Sequence, residues 1–299
     1  MANQTKQQQA PSNTLALVKK DTVDVVAAKV KQFQESGELH FPANYSPENA
    51  MKSAWLILQT VQDRNKKPAL EVCTKNSIAN ALLDMVVQGL NPSKKQGYFI
   101  VYGNQLVFQR SYFGTMAVTK QVTEAIDIIA QVVYEGDEFD YAIENGRKHI
   151  IRHVQKLDNI DNAKIKAAYC TIFFGPGRES FTDIMTFDQI KKAWSKSQMK
   201  PITEKGEVKA GSTHDQFTTD MAIKTVTNHA CKYYLNTSDD SGLIMEHFRH
   251  TDEAAAEAEL QGEIDANANS EVLEIPEEDV EEEPVEGEAE EPAAEGPGY

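Results

Sequence analysis

The sequence predicts an α+β fold: N-terminal helices, a central antiparallel β-hairpin and meander, C-terminal helices, and a disordered acidic tail. Three observations predict it. Apolar residues recur every three or four positions ahead of Gly89 and again after Thr186. Between them, from Gln96 to Met185, most segments are short β-rich runs separated by glycine-containing turns. The strands are grouped rather than alternating one by one with helices, which argues against a doubly wound parallel sheet. Three parts are expected: a Gln/Asn/Pro-rich disordered leader at 1–12, a folded core at 13–250, and a disordered tail at 251–299.

The first helix is expected across Leu15–Phe33, where Leu15, Val18, Val23, Val26, Val30 and Phe33 repeat loosely at helical spacing. Ser46 is placed to cap a second helix, with Pro47 at the first helical position, where its missing N–H costs nothing; Ala54, Ile57, Leu58 and Val61 then form one stripe. A third helix opens at Thr74 and stops at Gly89. Gln96–Ser111 reads as two strands joined at the two-residue turn Gly103-Asn104. Tyr112–Val122 is helical in pattern. Strands are expected at Ile126–Tyr134, Glu138–Ile143, His149–His153, Lys166–Phe174 and Ser180–Met185. Thr186 with Gln189 three positions on is a capping box for the next helix, and a last helix is expected over roughly Asp215–Leu235. Beyond Thr251 the Ala/Glu/Pro composition holds too few large apolar groups to offset chain entropy, so disorder is expected.

Charge is divided unevenly. The 299 residues carry 30 Lys+Arg against 46 Asp+Glu, a formal charge of −16. Yet 19 of those acids fall between Asp252 and Glu295, where no Lys or Arg occurs, leaving 27 acids against 30 bases in residues 1–250. A mildly basic body carries an acidic extension, and only the body is informative about polyanion binding. No apolar run approaches the roughly 18–20 residues that cross a bilayer, and the opening MANQTKQQQAPSN has no apolar core of a secretory signal. Cys73, Cys170 and Cys231 are odd in number and widely spaced, which fits buried reduced thiols rather than a disulfide or zinc framework.

Motifs for covalent chemistry are missing: no GxxxxGK[ST], no strand-linked GxGxxG and no GxSxG. No catalytic residue, metal ligand or cofactor is therefore expected. His149 and His153 have a zinc spacing only if helical, and their segment reads as strand. The carboxylates of EGDEFD, Glu135–Asp140, admit two readings, a Mg²⁺-dependent nuclease site or a solvated turn, and the turn is favoured. The basic residues are more suggestive. Lys94 and Lys95 precede the hairpin, and Gln109 and Arg110 end its second strand beside Tyr112 and Phe113. Lys191, Lys192 and Lys196 lie along the helix of Trp194, and Lys224 and Lys232 are eight apart, roughly 80° around, on the last helix. Cations interleaved with aromatic and amide groups suit a single-stranded nucleic-acid groove, in which cations follow phosphates and flat groups support bases.

Four stretches together carry a resemblance. GLNPSKKQGYFIVYGNQLVFQRSYFGTMAV (Gly89–Val118), VVYEGDEFDY (Val132–Tyr141), MTFDQIKKAWSKS (Met185–Ser197) and MAIKTVTNHACKYY (Met221–Tyr234) occur in the order seen in the RecT family of phage single-strand annealing proteins, which the chain resembles over roughly Ala50–Leu235. The resemblance implies ATP-independent binding of single-stranded DNA and annealing of complementary strands in phage recombination, by a homo-oligomer in the bacterial cytoplasm. It also implies a partner 5′→3′ exonuclease, an annealed duplex intermediate and contact with a host single-strand binding protein. On this reading Lys94, Lys95, Gln109 and Arg110 form one wall of a groove, and Lys191, Lys192, Lys196, Lys224 and Lys232 the other, with Tyr112 and Phe113 supporting bases or sugars. Gly114 is read as a packing residue. Two other classes stay open: a metal-dependent nuclease using residues 135–140, and a structural phage or scaffold protein.

Overall fold

Two hydrophobic cores organise the chain, and the polypeptide leaves the first to build the second before returning. The computed structural model describes residues 20–197, 199–237 and 242–268. The expected leader at 1–12 and the tail after Ala268 lie outside the described residues, as do Leu15 and Val18 of the first expected helix.

The first core is mainly helical. A π-helical turn, Lys20–Asp24, leads into α1 (Val25–Glu35), which buries Val26 and Val30. In α2 (Pro47–Leu58) the Ser46 side chain accepts from the Asn49 N–H at 3.2 Å, and Ala50, Met51, Ala54, Trp55 and Leu58 turn inward. The central helix α3 (Lys75–Val87) is capped by Thr74, which accepts from Ser77 N–H, and it is buried along nearly its whole length. It ends before Gly89, whose φ of +68° supplies the left-handed stop. Strands β1 (Gly97–Tyr102) and β2 (Gln105–Arg110) pair antiparallel, with Tyr102 opposite Gln105 across the Gly103-Asn104 turn. Their inner faces, including Phe99, Val101, Leu106 and Phe108, join the same core.

Helix α4 (Tyr112–Thr123) links the cores. Ser111 caps it by accepting from Gly114 N–H at 3.3 Å while its hydroxyl donates to Lys95 O at 2.6 Å. Gly114 is a packing residue as expected: a Cβ there would lie 2.0 Å from the Gln96 carbonyl oxygen and 2.7 Å from Arg110 Cγ.

The second core lies on a three-stranded antiparallel sheet, ordered β3 (Asp127–Tyr134), β6 (Ile165–Phe173), β7 (Phe181–Thr186). Strands β4 (Glu138–Glu144) and β5 (Arg147–Val154) form a separate ladder, so the meander is interrupted by an inserted hairpin. Its cause is the turn after β3. The carboxylate of Asp137 accepts from Tyr134 N–H, from Asn159 and from Gln155, and the Gln155 side-chain amide also donates to Val132 O. These bonds fold the hairpin back, and Phe139 stacks on Tyr169 of the sheet with ring centroids 5.5 Å apart. Against the other face pack α5 (Phe187–Trp194), which starts with the expected Thr186–Gln189 capping box, and α6 (Thr218–Asn236). The expected single helix from Asp215 is broken: a short turn, Thr213–Gln216, ends at Phe217, which leaves helical geometry at φ −127°, ψ 46°.

A last helix, α7 (Leu243–Ala268), corrects the expected disorder after Thr251 as far as Ala268. Met245 and Phe248 are anchored in the first core, and the following Ala/Glu run has high helix propensity once that anchor nucleates it. Cys73, Cys170 and Cys231 are buried free thiols; burial pushes Cys170 up to about 12 and Cys73 and Cys231 up to about 11. Among the described residues no helix is long and apolar enough to cross a membrane.

Gly114→Ala is expected to destabilise the protein by about 1–3 kcal/mol through overpacking against the Gln96 carbonyl, read as a lower denaturation midpoint at unchanged m-value; a wild-type midpoint would refute the close-packing role.

Candidate nucleic-acid interface

The eleven residues expected to touch DNA divide between exposed or half-buried positions on the surface and an internal clasp that holds Arg110 and Lys232. A run of cations and rings begins at the 3₁₀ turn Pro92–Lys94, where Asn91 accepts from Ser93 N–H and Lys95 takes a left-handed conformation. This turn leaves Lys94 and Lys95 exposed. With Gln96, Phe113, Met116, Ala117 and Lys120 they line an open depression of about 400 Å³. Phe113 is 44% exposed there, and its ring centroid lies 4.0 Å from that of Tyr112.

Tyr112 carries the run toward α6. Burial raises its hydroxyl pKa, with the nearby Asp220 carboxylate and the Tyr98 hydroxyl adding to the shift. Asp220 stands in the first turn of α6, and Lys224, exposed, is one helical turn further along. The Lys224 charge is near enough to add to the burial that lowers the His214 pKa. His214 in turn packs edge-on against Trp194, centroids 4.8 Å apart, and the Trp194 indole N–H donates to Thr225 Oγ1 at 2.8 Å. Trp194 thus ties His214 and Thr225 of α6 to the helix bearing Lys191 and Lys192. Of these, Lys191 pairs with Asp188 at 2.9 Å and lies 5.4 Å from the Phe187 centroid, while Lys192 and Lys196 are exposed. Gln109, half-buried, is the cross-strand neighbour of Tyr98.

Arg110 and Lys232 stand elsewhere. Strand alternation puts Arg110 on the same face as Leu106 and Phe108, and its side chain is 2% exposed. Its guanidinium lies over the Phe248 ring at 3.5 Å, donates to Gln88 Oε1 at 2.7 Å and to Phe248 O, and pairs with Asp252 at 2.5 Å. Burial lowers it to about 10 against the opposing pull of Asp252. The second Asp252 oxygen takes the Lys232 ammonium at 2.6 Å. A phosphate could reach Arg110 only after α7 moved, so the two cations expected on opposite walls meet on one carboxylate instead.

The EGDEFD carboxylates have structural partners. Asp137 is enclosed; burial alone would raise its pKa, but hydrogen bonds from Gln155, Tyr134 N–H, Asn159 and His153 outweigh it and hold the group at about 2. Glu138 pairs with Arg152 at 2.9 Å. His153, on β5, bonds Asp137 and the Tyr169 hydroxyl. Among the described residues no three His, Cys, Asp or Glu side chains converge as a metal-ligand set.

Two members of the run were not singled out in the sequence. Lys120 lies seven residues after Phe113 in a helix, and that spacing returns to the same face. Tyr98 follows from the hairpin register: pairing Tyr102 with Gln105 sets Tyr98 opposite Gln109.

A helical core and a sheet core are linked by α4, with basic and aromatic side chains gathered at its start. The RecT family model matches residues 48–270, so the chain belongs to the RecT family, phage-associated single-strand annealing proteins of DNA recombination. None of the curated proteins matches it.

Two predictions concern groups inside this region. Arg110→Ala should cost about 2 kcal/mol of folding stability, because it removes the guanidinium from the Phe248 ring and from Gln88 and leaves Asp252 with Lys232 alone; an unchanged melting temperature would show that the clasp is weak. Asp137 has its folded pKa held below the unfolded value near 3.8, so its contribution is present above about pH 4 and lost as pH falls toward 2. Asp137→Asn should therefore flatten the stability profile between those values and remove about 2 kcal/mol at neutral pH, measured by denaturant titration at several pH values.

Proposed function

We propose that the protein coats single-stranded DNA and anneals complementary strands as a homo-oligomer, without nucleotide hydrolysis. The observation that carries this reading is the depression lined by Lys94, Lys95, Phe113 and Lys120, with Tyr112 in ring contact with Phe113, in a chain that belongs to the RecT family. Annealing two strands requires phosphate repulsion to be cancelled while Watson–Crick edges stay free. Lysines do the first with no sequence preference, and each phosphate neutralised releases condensed counterions. The reaction is downhill, so the missing P-loop motif is consistent with it. A 5′→3′ exonuclease would supply the exposed strand, and a host single-strand binding protein would compete for it. Lys192 and Lys196 extend the surface beyond Trp194, and Lys191 joins them once DNA displaces Asp188. Gln109 supports a base or sugar from the hairpin. Arg110 and Lys232 contribute by holding α7 in place.

The test is annealing of two complementary fluorescent oligonucleotides in EDTA without ATP, across a salt series. Acceleration over the spontaneous rate that fades as salt rises is expected, and none at low salt with folded protein would overturn the reading. Lys224→Ala should weaken single-strand binding similarly across sequences and reduce the slope of log K against log salt by about 1. An unchanged slope would remove Lys224 from the interface.

A further inference from the structure

We infer that the cavity between the inserted hairpin, β7 and α6 is a second contact site for single-stranded DNA, holding a base on Tyr233 and the adjoining phosphate at Arg147 and Lys148. This goes beyond the annealing reading and rests on it.

Three elements build the site. Along β7, Phe181, Asp183 and Met185 alternate onto the face that meets α6. Along α6, His229 and Tyr233 are four residues apart and share one side of the helix. Four helical residues and two strand residues both advance about 6–7 Å, so the two elements meet in two successive rungs. In the first, His229 Nδ1 lies 2.6 Å from Asp183 Oδ2. In the second, Tyr233 stacks on Phe181, with ring centroids 5.4 Å apart and planes within 7°. The β4–β5 hairpin supplies the third wall. Asn145 and Gly146, at φ +49° and +79°, make a tight turn that starts β5 at Arg147. Lys148 then reaches Asp183 Oδ1 at 3.2 Å and the Ile184 carbonyl at 3.4 Å. Together these residues line a cavity of about 460 Å³, large enough for a nucleotide.

The lining also fits a nucleotide chemically. Asp183 does not oppose a phosphate as an open carboxylate would, because its oxygens already take Lys148, His229 and the Ile184 N–H. Arg147 is exposed, and its pair with the exposed Glu179 at 3.4 Å is of the weak surface kind, in which a phosphate can take the carboxylate's place. Tyr233 offers the flat group, at 56% exposure, although one exposed tyrosine alone signifies little. This one is the outermost ring of a packed series. Phe181 also touches Tyr234, and Tyr234 touches Phe174, with centroids 5.6 and 5.1 Å apart.

Arg178 locks the back of that series. Its guanidinium lies 4.2 Å over Phe174 while donating to Thr123 O at 2.8 Å and to the Tyr234 hydroxyl at 3.3 Å. The platform is therefore fixed before DNA arrives, so little ordering entropy is lost on binding. The cavity shares no lining residue with the depression at Lys94, and a surface that tracks single strands needs such repeated contacts.

The experiment photo-cross-links the full chain to oligo-dT carrying 5-iododeoxyuridine and maps the adducts by mass spectrometry. An adduct on Tyr233 is expected. In titrations, Tyr233→Ala should weaken oligo-dT binding by roughly 5- to 150-fold at unchanged salt slope, and Tyr233→Phe should keep most of the affinity. Arg147→Ala should lower the slope of log K against log salt by about 1. Thermal melts check that each variant folds; should Y233A unfold, the adduct and R147A still decide. Three results would overturn the inference: adducts confined to the Lys94 depression, wild-type affinity in folded Y233A, or a wild-type salt slope in R147A. Thymidine monophosphate that blocks the Tyr233 adduct as well as unlabelled oligo-dT does would overturn it too, since that marks a mononucleotide site. If wild-type protein binds no oligo-dT, the annealing reading itself falls; if it binds and one of these results appears, only this site does.

Discussion

A guanidinium removed from water must be paired, and the burial of Arg110 sets that demand at the centre of this structure. Its partners come from three parts of the chain: Gln88 just past α3, Thr115 of α4, and Phe248 and Asp252 of α7, with Asp252 also reaching Lys232 of α6. The polypeptide leaves the first core along α4, builds the second core, and comes back through Leu235, Met245 and Phe248. The clasp therefore joins the point of departure to the point of return. Removing the carboxylate would cost far more than the pair is worth, because the guanidinium stays buried. That asymmetry fixes where α7 lies, and with it the side of the hairpin closed to ligands.

With the inner hairpin face occupied, the surface proposed for DNA falls on α4 and the turn before the hairpin. The cations there are lysines, Lys94 and Lys95 exposed and Lys120 half-buried and paired with Asp127, and the Phe113 ring beside them is 44% exposed. Lysine suits a surface that must hold phosphates without fixing their geometry, as it is a hydrated point charge on a flexible stem. Arginine, with its planar fork, is used where geometry must be fixed, inside the clasp.

The enclosed carboxylates follow one pattern. Asp137 gathers the turn that inserts β4–β5, Asp183 takes Lys148 and His229, and Asp84 meets His247 and His250 of α7. Each satisfies its oxygens from distant segments and so acts as a tertiary joint. A cluster such as EGDEFD looks like ligand chemistry when read as a string because the string omits the donors. Gln155, Asn159 and His153 come from the far side of the hairpin.

The sequence by itself determined the elements whose causes are local. Ser46-Pro47, Thr74 and the Thr186–Gln189 box start helices because their side chains reach amides within one turn, and Gly89 and Gly103 end or turn elements because they accept positive φ. The α+β order and the four family stretches were legible for the same reason. The period-2 pattern even held the evidence that Arg110 faces inward, since Leu106 and Phe108 share its face, but the charge drew it outward in the reading. What only tertiary structure decided were the outcomes that depend on distant partners. The helix past Thr251 exists because Met245 and Phe248 find a core laid down some 150 residues earlier, and β3 pairs with β6 because Asp137 folds the intervening hairpin away. Lys120 and Phe113 joined Lys94 and Lys95 on one depression when the start of α4 was tied to the turn before β1. Local sequence dictates backbone state within a turn or two, whereas which charges meet across the chain is fixed only by packing.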